Sequence, residues 1–204
     1  MKRALICVLA LACAARWGIA GSLPSSDLTV VLDFKGPHTD RSVAEMQQEA
    51  QQIVKDAGLH LDWRTVHDAA QYTFSDLVVV QFKGACIIEP DPNLGDELGP
   101  ARPLAFTYIT DGAMQPFGEV VCDQVAATVR SAMWGGDFAI ADVLLGRALG
   151  RVLVHELVHM LTKSEEHGRE GVAKPALSGK QLIAGSLPLS PADLERLKKN
   201  LTRR

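Results

Sequence analysis

The apolar and polar positions of the chain follow two periodicities, one typical of strands and one typical of helices. Short apolar or β-branched runs bounded by Gly, Pro or Asp predict strands at 28–34, 59–65, 76–83 and 104–110. An Asp-Gly turn at 111–112 and the return segment 115–121 complete a predicted hairpin with the last of these strands. Because 76–83 contains an unbroken apolar run, we expect it to be a central strand covered on both faces.

Helices are predicted where apolar residues recur every three or four positions. These segments are about 42–57, 122–133, 137–162 and a last helix that begins at Pro191. Ser42 with Glu45 forms a predicted capping box for the first helix, and Gly58 ends it. Ser190 is the predicted N-cap of the last helix. Residues 89–103 are rich in Pro, Gly and Asp, so we expect an exposed loop there.

The order of these elements predicts the fold class. A strand, a helix, four more strands and then helices are typical of a single α+β domain. We expect a mixed β-sheet with the helix at 42–57 behind it, the helix at 137–162 against it, and a small helical part at the C-terminus. The chain contains no repeat and no linker that would separate domains, so this domain is expected to cover 21–204.

The first twenty residues have the pattern of a secretory signal peptide. Two basic residues precede a twelve-residue apolar run at 4–15, and small residues lead to a predicted cleavage site after Ala20. Twelve residues are too few to cross a bilayer, which takes about 20, so we expect no stable membrane insertion after cleavage. A buried first helix is one alternative. A lipoprotein modified at Cys13 is another, although Ala10 occupies a position where a large aliphatic residue is expected.

The net charge and the number of cysteines both change once this segment is removed. The whole chain has 204 residues and a net charge of −3. Without residues 1–20 it loses three basic residues and two of its four cysteines, which leaves about 184 residues and a charge of −6. No basic excess exists for binding nucleic acid. In a secreted or periplasmic protein we expect the remaining Cys86 and Cys122 to pair, with two separate buried thiols as the alternative.

The most informative motif is H-E-x-x-H at 155–159. On a helix, His155 and His159 lie on one face about one turn apart, so their imidazoles can share one metal ion. Glu156 is close enough to reach a water on that metal without binding it. The motif therefore combines a Lewis acid, a water of lowered pKa and a general base. The alternative is a chance motif at the polar edge of a core helix.

A catalytic zinc site normally has three protein ligands and an open fourth position. His167 is the only histidine downstream of the motif, and we favour it as the third ligand. It could instead be a solvated residue of a charged loop. Acidic residues stay open as alternative ligands: Glu165, Glu166, Glu170 and, from the last helix, Glu195.

These segments resemble the zincin metallopeptidases, in particular small secreted bacterial proteins of metzincin-like type. RVLVHELVHML at 151–161 looks like the active helix of that group, and SEEHGREGVAK at 164–174 looks like its continuation. The resemblance covers most of the chain after the signal segment. It implies a zincin-like sheet and an H-E-x-x-H helix. It also implies three Zn²⁺ ligands and a catalytic base, which are His155, His159, His167 and Glu156.

The resemblance extends to the surroundings of the site. Gly171 matches the glycine of a turn that carries a methionine in the family, but Ala173 stands at the position of that methionine. The family's methionine forms an apolar floor beneath the metal. The segment 104–125 looks like the family's hairpin, whose edge strand pairs with an extended substrate. The residues expected to bind a peptide or protein substrate are Ala105, Phe106, Thr107 and Tyr108.

We therefore expect a monomeric, secreted zinc-dependent peptidase. Glu156 would take a proton from the attacking water and pass it to the leaving amine. The missing turn methionine motivates a second hypothesis, a secreted zinc-binding protein that keeps the zincin fold without turnover. A metal-free fold with a chance motif is the third.

Overall fold

A computed structural model describes residues 26–89 and 102–203. The predicted signal peptide at 1–20 and most of the predicted loop at 89–103 lie outside these residues. Five strands form one mixed sheet in the order β2-β1-β3-β5-β4. The strands are β1 Ser26–Phe34, β2 Leu59–Thr65, β3 Leu77–Lys83, β4 Ala105–Thr110 and β5 Ala113–Val121. Strands and helices combine in one chain, in agreement with the α+β prediction.

Neighbouring strands are parallel from β2 across β1 and β3 to β5, and β4 alone is antiparallel to its neighbour. The turn that joins β4 to β5 has positive φ at Asp111 and Gly112, 52° and 74°. An Asp-Gly pair tolerates this geometry, which is why the dipeptide predicts a tight hairpin turn. The hairpin places β4 at one edge of the sheet.

The prediction that 76–83 is the central strand is confirmed, since β3 lies third of five. Its predicted coverage on both faces is wrong. Val78, Val80 and Phe82 are buried, whereas the alternate residues Leu77 and Val79 are only half-buried. The apolar residues of the second face therefore pack less completely than an unbroken apolar run suggests.

Six α-helices accompany the sheet in the described part of the chain: α1 Asp40–Val54, α2 Val66–Ala69, α3 Cys122–Arg130, α4 Ala141–Thr162, α5 Gly179–Ile183 and α6 Pro191–Leu201. The N-cap of α1 is Thr39 and not the predicted Ser42. Thr39 is extended, and its hydroxyl oxygen accepts a hydrogen bond from the Ser42 amide at 3.1 Å. Short 3₁₀ turns at Lys55–Ala57 and Gly135–Ile140 replace the end of one predicted helix and the start of another. The predicted N-cap of α6 is confirmed, since the Ser190 hydroxyl oxygen accepts from the Asp193 amide at 3.1 Å.

The long helix α4 is buried along most of its length and packs against α1 and the sheet. Two glycines allow its close approach to α1. A Cβ atom at Gly146 would lie 2.5 Å from the Ser42 carbonyl oxygen, and one at Gly150 would lie 2.7 Å from that of Met46. Any side chain at these positions would push the two helices apart, so the glycines fix their spacing.

Cys86 and Cys122 form a disulfide, as predicted, with their Cα atoms 4.8 Å apart. The bridge ties the segment after β3 to the first turn of α3. None of the helices formed by residues 26–89 and 102–203 combines the length and the apolar character that crossing a bilayer requires.

Candidate metal centre

His155 and His159 project from the same face of α4, and their Nε2 atoms are 3.1 Å apart. Each ring is held by a backbone carbonyl. The His155 Nδ1 lies 3.0 Å from the Val172 oxygen, and the His159 Nδ1 lies 2.7 Å from the Ser164 oxygen. Because a carbonyl oxygen can only accept, each Nδ1 carries the proton and donates it. The two Nε2 lone pairs are therefore free to bind a metal.

The spacing of these nitrogens fits a shared ion. Two neutral Nε2 atoms cannot donate to each other, so their close approach brings two lone pairs together. A cation between them would relieve that repulsion. Two nitrogens each about 2.0–2.1 Å from a tetrahedral zinc would be about 3.3 Å apart, close to the separation seen here.

His167 completes the group. One ligand atom from each of His155, His159 and His167 can be chosen so that all three lie within 4.8 Å of one another. The His167 ring centroid is 5.1 Å from that of His155 and 4.7 Å from that of His159. His159 is buried while His167 is exposed, so the group opens to solvent on the His167 side. These three histidines can bind a metal ion.

The acidic alternatives for the third ligand are not part of this group of residues. The exposed Glu166 carboxylate forms an ion pair with Arg196 at 3.3 Å. Glu165 lines the neighbouring cleft, and Glu170 and Glu195 are exposed.

The loop after α4 carries His167 back over the helix. Lys163 ends α4 with a positive φ of 53°. Gly168 packs directly on the carboxylate of the buried Asp193, and a Cβ atom at Gly168 would overlap it. The Gly168 amide also donates to the Ala173 carbonyl at 2.9 Å. The loop conformation at His167 thus depends on a contact with α6, far away in the sequence.

The backbone of the predicted turn at 171–173 requires a glycine at position 171. Gly171 has a φ of 72°, and a Cβ there would overlap the Pro188 carbonyl oxygen. Ala173 is buried, at 3% exposure, directly after the residue whose carbonyl holds His155. An alanine therefore occupies the position where the family resemblance places a methionine.

Glu156 lies beside the three histidines and is only 5% exposed. The Thr107 hydroxyl of β4 donates to its Oε2 at 2.7 Å. Burial raises the pKa of Glu156 to about 7, and the hydrogen bond from Thr107 opposes this rise.

The neighbouring imidazoles favour their neutral, metal-binding form. Burial lowers the pKa of His155 to about 4, against the opposing effect of its bond to the Val172 carbonyl. Burial and the nearby His159 also lower the pKa of His167. Because a ligand histidine must be neutral, these shifts suit metal binding near neutral pH.

A cleft of about 680 Å³ runs along α4 past the three histidines. Its lining includes the segment 102–107, which contains the start of β4, and the segment 174–177, called the cleft wall below. Among the described strands, β4 pairs with β5 alone. β4 is therefore an edge strand, and its residues Ala105, Phe106 and Thr107 line the cleft.

The four residues predicted to bind substrate divide into two groups. Ala105, Phe106 and Thr107 line the cleft. The Tyr108 hydroxyl instead donates to Glu119 Oε2 at 3.1 Å. The sequence does not signal the cleft wall. It also does not signal the Val172 and Ser164 carbonyls that orient the histidines, because every residue has a carbonyl.

No protein-family model matches the chain, and no curated protein matches its sequence. What the site does must therefore be inferred from its own residues.

Proposed function

We propose that this protein is a secreted zinc-dependent peptidase of zincin type, acting on peptide or protein substrates. The observation that carries the proposal is the group of three imidazoles within 4.8 Å of one another, with a buried carboxylate beside it and a cleft open to it. In this proposal His155, His159 and His167 hold the metal and Glu156 is the general base.

The donor set fits zinc. Three imidazole nitrogens with one open side match the arrangement of a catalytic zinc site, although other first-row divalent metals also bind imidazole. The carbonyl partners of His155 and His159 fix the tautomer that a ligand needs. Bound Zn²⁺ would supply a Lewis acid and lower the pKa of a water molecule in the cleft.

The role of Glu156 follows from its place in the chain and its partner. It follows a ligand directly on α4, so its carboxylate faces the same cleft without joining the group of ligands. The Thr107 hydroxyl holds Oε2 and leaves the second oxygen to accept the proton of the attacking water. Glu156 then gives that proton to the leaving amine.

The substrate site follows from the edge position of β4. An extended peptide can add to an open sheet edge through main-chain hydrogen bonds. Thr107 of β4 touches Glu156, so a peptide paired with this strand would pass beside the base. Ala105 and Phe106 would lie next to the same peptide, in the cleft that the cleft wall also lines.

The test is Glu156→Gln, assayed with a fluorogenic peptide library and with metal analysis of untagged protein. We expect hydrolysis to be lost while about one zinc per chain is retained. Glu170→Gln, which changes an exposed acid on the loop that carries His167, is the matched control and should keep both properties. An active Glu156→Gln variant would show that the mechanism is wrong.

The proposed secretion has a separate test. N-terminal sequencing of the exported protein should give a sequence that begins at Gly21.

The alternative is a secreted zinc-binding protein without turnover. Ala173 at the methionine position favours it, because a smaller side chain supports the site less firmly. This alternative predicts stoichiometric zinc and no cleavage of any peptide in the library, by the wild-type chain as well as by Glu156→Gln.

A further inference from the structure

Arg151 is a charged residue inside the core, with 1% of its surface exposed. It lies on α4 one turn before His155. Its Nε donates to the Glu49 carboxylate of α1 at 2.7 Å. Burying a guanidinium costs free energy unless its N–H groups form hydrogen bonds. The hydrogen-bond partners of Arg151 therefore indicate which segments it holds in place.

Both Nη atoms of Arg151 donate to the backbone around α5. Nη1 donates to the carbonyls of Gln181 and Leu182, at 2.5 and 3.3 Å, and Nη2 donates to that of Gly185. These carbonyls belong to the last turn of α5 and the residues just after it, where a helix leaves acceptors free. Arg151 therefore attaches α5 to α4.

The cleft wall is in turn attached to α5. The Gln181 side-chain oxygen accepts from Lys174 Nζ at 2.7 Å and from the Ser178 amide at 3.1 Å. These two residues are the first residue of the wall and the residue that follows it. Gln181 thus holds both ends of the wall through one side chain, while its backbone carbonyl is held by Arg151.

The same segment is attached to α4 at a second point. The Val172 carbonyl, two residues before the wall, binds His155 Nδ1 at 3.0 Å. His155 and Arg151 are four residues apart on α4, which is about one helical turn. The segment 172–181 therefore spans one turn of α4, fixed at one end by a metal-site histidine and at the other by Arg151.

We propose that Arg151 is a positioning residue for substrate binding: by holding α5, it sets the distance of the cleft wall from the histidines. The substrate part of this inference rests on the proposed peptidase activity, whereas the attachment of the wall does not. Arg147, which donates to the Ile183 carbonyl at 2.9 Å, supports the same helix from the preceding turn.

The experiment compares the zinc-loaded full-length chain with Glu49→Gln/Arg151→Met. Changing both partners avoids leaving Glu49 as a half-buried, unpaired charge that could unfold the chain. We expect amide hydrogen exchange at 174–185 to become about tenfold faster, the effect of losing one charge-assisted hydrogen bond. Exchange in β1 and β3 should not change.

Activity and metal binding provide the second measurement. We expect KM for a cleaved peptide to rise about tenfold, with kcat and zinc affinity within about threefold of wild type. Arg151→Lys, which keeps the charge but loses the fork of donors, should recover only part of the effect. Arg64→Met, on β2, removes an arginine paired with Asp62 outside the cleft and should change neither measurement.

Two results would overturn the inference. One is unchanged exchange at 174–185 in the double variant. The other is a loss confined to kcat or zinc affinity with KM unchanged, which would place Arg151 in support of the metal site. If the wild-type chain cleaves no peptide, the peptidase proposal fails, and the exchange rates alone decide whether Arg151 holds the wall.

Discussion

Gly146 lies where α4 crosses α1, and we predict that Gly146→Ala destabilises the protein. An added Cβ would be 2.5 Å from the Ser42 carbonyl oxygen and 2.7 Å from the Glu45 Cβ. Both distances are well inside van der Waals contact. The carbonyl belongs to the backbone of α1 and cannot rotate away, so the two helices must separate to make room.

Two opposing effects decide the magnitude. Replacing glycine by alanine in the middle of a helix stabilises it by about 1 kcal/mol. Overpacking a well-filled core costs about 1–3 kcal/mol, and a clash with backbone at 2.5 Å belongs near the upper end. The expected net loss in the free energy of unfolding is therefore about 1–2 kcal/mol.

Urea unfolding followed by circular dichroism measures this difference. Gly136→Ala is the matched control, because nothing lies within 4 Å of a Cβ added there. The control should be neutral or stabilise by up to about 1 kcal/mol, through its effect on the unfolded chain. A Gly146→Ala variant as stable as wild type, or equal to the control, would refute the close helix contact.

Three further predictions concern the site and the disulfide. His167→Ala should weaken zinc binding, measured by calorimetric titration, by more than about 100-fold. That is more than the loss expected from replacing a residue that only hydrogen-bonds to a ligand. Unchanged affinity would mean that His167 is not a ligand. Thr107→Val should lower kcat about tenfold while Thr107→Ser stays near wild type, and equal rates in steady-state assays would argue against a positioning hydrogen bond. Cys86→Ala/Cys122→Ala should lower the free energy of unfolding by about 4 kcal/mol, because the disulfide closes a loop between residues 36 positions apart. Guanidinium unfolding measures this difference, and an unchanged free energy would contradict the prediction.

The strands and the motif helix could be predicted because their signals are local. The apolar run at 76–83 and the Asp-Gly turn at 111–112 both identify their elements, and the cap at Ser190 is a short-range hydrogen bond. The error at the start of α1 is also local. Thr39 and Ser42 are both good N-cap residues, and the extended backbone at Thr39 decides between them.

The surroundings of the histidines could not be predicted, because they depend on contacts between distant segments. His167 reaches the site because Gly168 fits against Asp193, which lies 25 positions further along the chain. The cleft wall is fixed in part through backbone carbonyl oxygens, which no residue type signals. The sequence could identify which histidines are present, but not the backbone that points them at one another.

The position of each chemical group on α4 explains why one helix can organise the whole site. The glycines at 146 and 150 hold α4 against α1, Arg151 attaches the wall, and His155 and His159 follow within the next two turns. Buried on nearly all sides, this helix cannot rotate or slide without breaking the core. The Nε2 atoms of the two histidines are therefore held near their binding geometry before any ion arrives, which lowers the ordering cost of metal binding. In the proposed site the exposed His167 side chain would be fixed by the metal, so its replacement should affect metal affinity more than stability.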